Sequence, residues 1–192
     1  DEAMRHSITK MAHLHFVTNA KAAQRVRQLG ENPEHIFNVG SPGIDALKRI
    51  AYLGRAELER QLKFKFRRRN LLITFHPATL DADSPAAQFR TVLEALDRLP
   101  AEDYGLVFTR PNADTSGRGL ISILDEYAAT RRHVAVFASL GQQVYLSLIA
   151  QVDAVVGNSS SGLYEVPSLR KPTIDIGDRQ KGRLAADSVI HC

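Results

Sequence analysis

The sequence predicts an α/β protein built on a doubly wound parallel sheet, and three observations carry that expectation. Short apolar runs of strand length, among them Leu71-Leu-Ile-Thr-Phe75, Leu106-Val-Phe-Thr109 and Val134-Ala-Val-Phe137, recur along the chain. They are apolar without alternation, as strands covered by helices on both faces require. Helical stripes separate them throughout, and parallel neighbours need crossovers of that kind.

Taken in order, Asp1 to Ala12 reads as a helix with acidic residues in its first turn and Ile8, Met11 and Ala12 on one face. His15-Phe-Val-Thr18 is a strand, Lys21 to Leu29 a helix closed by Gly30, and Ile36-Phe-Asn-Val39 a strand ending in Gly40-Ser-Pro-Gly43. Ile44 to Tyr52 is helical again. A basic segment from Lys63 to Arg69 leads into the strand at Leu71. Ser84-Pro85 supplies a cap and a first turn for a helix whose stripe is Phe89, Val92, Leu93 and Leu96. Leu120, Ile123, Leu124 and Tyr127 line the helix after Thr109, and Val144, Leu148 and Ile149 mark the one after Phe137. Asp153-Ala-Val-Val-Gly157 and Lys171-Pro-Thr-Ile-Asp-Ile176 are the last strands. The helix between them, with Leu163, Val166 and Leu169 inward, contains Pro167, which requires it to be short or kinked.

With 192 residues, 44% hydrophobic and 24% charged, the chain can bury one substantial core and part of a second. A net charge of +4 is too small to point to a polyanion partner without a concentrated patch. The Lys/Phe alternation from Lys63 to Arg69 is the one candidate patch, and no nucleic-acid partner is expected from it. Cys192 is the only cysteine, so an internal disulfide and a cysteine-based metal site are excluded; no metal and no cofactor are expected, and the location expected is the cytoplasm. No apolar run is long enough to span a bilayer. The chain opens at Asp1 within a helical pattern, so an upstream segment is expected, with any targeting signal out of view.

The residues that point to chemistry gather after Gly157. Asn158, Ser159, Ser160 and Ser161 precede a helix and, with Gly162, let an anion approach the first-turn N–H groups, which have no partners within a helix. Glu165, about a turn later, is placed to accept from vicinal hydroxyls such as those of ribose. A bare N-cap and a solvated carboxylate account for the same residues. The next strand ends in Gly177-Asp-Arg-Gln-Lys-Gly-Arg183, so two successive strand ends bring small residues, hydroxyls and arginines to one edge. His76-Pro77 follows the strand at Leu71 on that edge, and proline keeps His76 extended. Asn112 and Asp114, in Arg110-Pro-Asn-Ala-Asp-Thr-Ser-Gly117, follow the next strand; turn chemistry or helix capping by Asp114 or Ser116 explains them equally well.

The stretch GNSSSGLYEVPSLRKPTIDIGDRQKGR resembles the C-terminal signature of the hydrolysing UDP-N-acetylglucosamine 2-epimerases. The blocks DEAMRHSITKMAHLHF, GSPGIDAL, FHPATL and RPNADTSGR are also similar to family blocks and occur in family order, so the resemblance covers nearly the whole chain. It implies the C-terminal half of a two-domain, glycosyltransferase-B-type architecture made of Rossmann-like domains. Residues 1–66 would close the first domain and supply a linker, and residues 67–192 would form the UDP-binding domain.

The resemblance further implies a phosphate-contacting role for His76, nucleotide-sugar contacts for Asn112 and Asp114, and a substrate-facing Arg179, whose fork of donors suits phosphate or a sugar oxygen. Asp1 takes the place of an active-site carboxylate with Arg5 one turn later; on residues alone these two are an i,i+4 surface pair. The implied reaction converts UDP-N-acetylglucosamine and water to N-acetylmannosamine and UDP through a glycal, in a homodimer, with this chain by itself inactive. Other readings stay open: a non-hydrolysing 2-epimerase, a glycosyltransferase of the same architecture, and a nucleotide-sensing module. The sugar is N-acetylglucosamine or a diacetamido relative.

Overall fold

The computed structural model describes residues 2–77, 84–111 and 115–192, and the chain divides into two compact units, 1–49 and 50–192. Asp1, Asn112 and Asp114 lie outside the described residues.

In the first unit, α1 (Glu2–Met11) precedes β1 (His15–Val17), α2 (Ala20–Gln28), β2 (Ile36–Asn38) and α3 (Pro42–Arg49). β1 and β2 are parallel, with Phe16 opposite Phe37 and the two rings stacked at 5.4 Å. Asn19 starts α2 because its Oδ1 accepts from the Ala22 N–H, a donor the helix leaves over. His15 is buried against Glu31 at 3.1 Å, and Lys10 reaches the other oxygen of that carboxylate at 2.6 Å. The hydrogen bond from Lys10 holds the Glu31 carboxyl below its usual range. On the face of α1 expected to carry Ile8, Met11 and Ala12, Ile8 and Met11 are exposed and Ala12, just past the helix, is partly buried.

The second unit is built on a six-stranded sheet, all parallel, made of β3 (Arg69–Thr74), β4 (Tyr104–Thr109), β5 (Val134–Phe137), β6 (Ala154–Gly157), β7 (Thr173–Asp175) and β8 (Val189–His191). Their order is β5-β4-β3-β6-β7-β8. The chain therefore runs outward from β3 one way, returns, and runs outward from β6 the other way, which is the doubly wound Rossmann-like arrangement with its switch between β3 and β6. Alternation along the strands explains the two cores. Leu71, Ile73, Leu106 and Phe108 join one buried cluster with α5 (Pro85–Leu96) and α6 (Thr115–Ala129), through Phe89, Val92, Leu93, Leu96, Leu120 and Leu124. Leu72, Val107 and Val155, equally buried, point to the opposite face, where α7 (Gly141–Gln151) packs on β3 and α8 (Ser161–Ser168) on β6 and β7. A fully buried Leu, Ile or Phe of this kind contributes about 1.5–3 kcal/mol.

The strand and helix expectations hold closely, with three differences. The segment from Ile50 to Phe66, expected to belong with the first domain as its end and linker, is part of the second unit. It contains α4 (Arg55–Leu62), which packs on α7 and buries Leu58 and Leu62. The Lys63–Arg69 segment turns Phe64 and Phe66 inward, while Lys65 pairs with Glu59, Arg69 with Asp153, and Arg67 donates to the Glu102 carbonyl. The third difference is β8, a three-residue strand the sequence pattern does not announce. Pro167 does fall inside α8, which is only eight residues long.

Candidate functional site

The carboxyl ends of all six strands fall on one register row, Phe137, Thr109, Thr74, Gly157, Asp175 and His191, each paired with the next. Ligands of open α/β sheets bind beyond such ends, at the switch point. Here that point is the meeting of Thr74 and Gly157. Gly157 has φ +137°, and a Cβ there would sit 1.9 Å from the Thr74 carbonyl oxygen, so only glycine lets the two strand ends approach so closely. The Asn158 N–H donates to that same carbonyl at 3.1 Å.

Beyond the row, side chains take over from the backbone ladder. The Asn158 side chain is buried, and its Oδ1 accepts from the His76 N–H at 2.7 Å while its Nδ2 donates to the His76 carbonyl at 2.8 Å. Its main-chain carbonyl accepts from Arg179 Nη1 at 2.9 Å and from Gln180 Nε2 at 2.7 Å. Three expected site residues, His76, Asn158 and Arg179, are thus brought together, although Asn158 spends its side chain on the protein. Burial lowers the Arg179 pKa, the Arg183 charge lowers it further, and buried Asp175 opposes both. Two mutually repelling guanidinium groups at a strand end favour an anion.

Ser159 and Ser160 lead into α8 and Glu165 lies one turn inside it, as the sequence spacing has it. The expectation that the first-turn amides there are all without partners is corrected. The Gly162 N–H donates to the Ser159 carbonyl at 3.1 Å and the Leu163 N–H to the Ser160 carbonyl at 3.0 Å, because the turn tightens to i→i+3 spacing. The Ser161 N–H makes a long contact, 3.4 Å, with Ser159 Oγ. What remains open is on the side chains: Ser161 Oγ and Glu165 Oε2 are buried with no hydrogen-bond partner among the described residues. Such groups need a donor or a water. Gly162 fits tightly over Thr173, whose hydroxyl donates to the Gly162 carbonyl at 2.7 Å; this fixes α8 on β7.

Sequence reasoning missed Tyr145. It is on the second turn of α7, half-buried, with its phenol facing Ser161, Thr74 and Glu165. Burial raises its pKa, the Ser161 and Thr74 hydroxyls pull against that, and the Glu165 charge adds to the rise, so the phenol stays protonated and able to donate. Thr74 in turn shares a short hydroxyl contact with Thr109. The signal available in the sequence was a lone tyrosine within an apolar helix. Arg110, just past β4, is tied back to α6 through Asp125 at 2.7 Å. Arg5 lies on α1 of the first unit, exposed, with its carbonyl accepting from Thr9. Among the described residues no three His, Cys, Asp or Glu side chains are grouped as a metal site needs. Nor is any helix there long and apolar enough to cross a membrane.

The sequence profile of the family described as UDP-N-acetylglucosamine 2-epimerase matches residues 1–192. The chain belongs to that family. Among relatives of this epimerase-family chain, the GDP/UDP-N,N'-diacetylbacillosamine 2-epimerase (hydrolyzing) of Campylobacter jejuni is 42% identical over 99% of this chain and 49% of its own length. The UDP-N,N'-diacetylbacillosamine 2-epimerase (hydrolyzing) of Legionella pneumophila is 32% identical over 99% of this chain and again 49% of its own. The chain thus spans about half the length of these relatives. The solved UDP-GlcNAc 2-epimerase of Methanocaldococcus jannaschii, in complex with UDP-GlcNAc and UDP, superposes with a TM-score of 0.70 at 13% identity, over 95% of this chain and 51% of that one. At that identity the likeness shows the fold.

Proposed function

We propose that the whole protein is a hydrolysing 2-epimerase of a UDP-linked 2-acetamido sugar, and that the second unit of this chain holds the UDP. The observation that carries the reading is the pair of buried groups without a partner among the described residues, Ser161 Oγ and Glu165 Oε2, at the switch point, beside the hydrogen bonds that tie His76 and Arg179 to Asn158. Ser159, Ser160 and Ser161 face the phosphates, with His76 and Arg179 supplying donors and positive charge. Glu165 accepts from the ribose hydroxyls. From the family resemblance we also assign Asp1 and Arg5 to catalysis, and Asn112 and Asp114 to nucleotide-sugar contacts.

The reaction removes the proton at carbon 2 and expels UDP from carbon 1, leaving a glycal. Water then adds, its hydroxyl to carbon 1 and its proton to carbon 2 from the opposite face, which inverts that centre. Charge develops on the departing diphosphate, so donors fixed at the strand ends act where stabilisation is worth most. With N-acetylglucosamine the product is N-acetylmannosamine. The names of two relatives favour a second reading of the sugar, a 2,4-diacetamido hexose, with the same chemistry at carbons 1 and 2. A homodimer is the assembly proposed.

The test gives the intact protein UDP-N-acetylglucosamine or its diacetamido counterpart in deuterated water. Free UDP together with a 2-epimeric sugar deuterated at carbon 2 is the expected result. A UDP-linked epimer as the only product would assign the non-hydrolysing reaction. Binding without exchange at carbon 2 would overturn the enzymatic reading in favour of a sensor or transferase.

A further inference from the structure

We propose that Asn158 is a positioning residue, acting through His76 rather than touching the nucleotide, and that it extends the β3–β6 ladder past its last backbone pair. The ladder ends at Thr74 opposite Gly157, and the peptide of His76 lies two residues further on. Asn158 offers its side-chain amide to that peptide as a neighbouring strand would offer its backbone, one acceptor to the N–H at 2.7 Å and one donor to the carbonyl at 2.8 Å. Because a peptide N–H can only donate and a carbonyl only accept, the amide has one orientation, and two bonds fix rotation as well as distance.

Every polar group of Asn158 makes at least one bond within the protein. Its N–H goes to the Thr74 carbonyl at 3.1 Å, and its own carbonyl takes Arg179 at 2.9 Å and Gln180 at 2.7 Å, which fills both lone pairs. The side-chain amide keeps one N–H and one lone pair beyond its His76 bonds, but with the residue 2% exposed they are shut off within the protein. The result is that the ends of β3, β6 and β7 are tied at one residue, and the imidazole of His76 and the guanidinium of Arg179 are held to a common frame. Asparagine is the residue this needs. Aspartate would set a carboxylate against the His76 carbonyl, leucine would fill the space with no bonds, and glutamine would displace the amide by a methylene.

The inference rests on His76 contacting the nucleotide, so its test is a cycle read by UDP affinity in the intact protein. Calorimetry would compare wild type, Asn158→Ala, His76→Ala and the double variant. Asn158→Ala should weaken UDP about 10-fold in the wild-type background and less than about 2-fold once His76 is alanine, since coupled residues are non-additive. Equal losses in the two backgrounds, as a ligand contact or a general loss of structure would give, overturn the inference. If Asn158→Ala does not fold, Gln180→Ala, which removes one donor from the Asn158 carbonyl, should show the same cancellation at about 2- to 3-fold. Wild-type protein that does not bind UDP defeats the functional reading itself, whereas wild-type binding with an additive cycle defeats only the role given to Asn158.

Discussion

Two strand-to-helix corners of this chain both open on a glycine followed by small residues and have different physical standing. After β2 the chain reads Gly40-Ser-Pro-Gly43 into α3, and after β6 it reads Gly157-Asn-Ser-Ser160 into α8. Both begin with a glycine at positive φ, +80° at Gly40 and +137° at Gly157. Around Gly40 no described heavy atom lies within 4 Å of where a Cβ would be, whereas at Gly157 the Thr74 carbonyl is 1.9 Å away. The difference comes from the neighbours. β2 pairs with β1 alone among the described strands, while β6 lies between β3 and β7, so its corner receives groups from two other strand ends. A glycine-serine corner becomes a meeting point of strand ends, here the proposed UDP site, through its neighbours rather than through its own residues.

The sharpest way to break the comparison is Gly157→Ala. The new methyl would overlap the Thr74 backbone, which cannot swing aside as a side chain can, and a non-glycine residue at that φ is strained as well. A loss of about 4 kcal/mol or more is expected, in the exceptional range for one substitution. Urea unfolding of the intact protein measures it, and a loss under 1 kcal/mol would show that the strand ends can part.

Next in size is Glu165→Gln, which keeps shape and removes charge. If Glu165 Oε2 awaits hydroxyl donors, UDP affinity should fall roughly 10- to 100-fold, the worth of hydrogen bonds to a charged group. Thermal stability should hold or rise, because a buried oxygen without a partner stabilises nothing. Unchanged UDP affinity would mean the carboxylate faces no ligand. Tyr145→Phe comes third. It removes only the phenolic hydroxyl next to Ser161, Thr74 and Glu165, and the loss of one neutral hydrogen bond to the ligand would be worth about 3- to 10-fold in affinity. UDP titration by calorimetry checks it, and a value within error of wild type would leave Tyr145 as packing alone.

The same contrast explains what the sequence disclosed. The strands of the second unit were legible because central parallel strands are apolar on both faces, as Leu71-Leu-Ile shows. Ser84 was legible because capping is local: its Oγ accepts from the Ala87 N–H at 3.2 Å. α4 was not, since Arg-Ala-Glu-Leu-Glu-Arg-Gln-Leu buries only Leu58 and Leu62 and has too thin a stripe to stand out. Tyr145 was hidden because α7 is apolar nearly all round, and periodicity alone cannot say which turn meets the strand ends. Asn158 was singled out for the ligand, but its side chain turns to the His76 main chain instead. Whether an asparagine side chain turns to a ligand or to a neighbouring peptide depends on β3 lying beside β6, a pairing across 82 residues of sequence.

Gly40→Ala should have the smallest effect, and it sharpens the comparison by isolating backbone strain from collision. With φ at +80° the alanine must accept a conformation costing about 1–2 kcal/mol, less whatever the unfolded chain loses in freedom. No described atom opposes the new methyl, so nothing adds to that figure. The intact protein should lose on the order of 1 kcal/mol in urea and retain its UDP affinity within 2-fold, because nothing proposed here assigns Gly40 to the nucleotide. A loss as large as that of Gly157→Ala would mean that this corner too is closed by a neighbour, and the distinction between the two would have to be sought in their side chains instead.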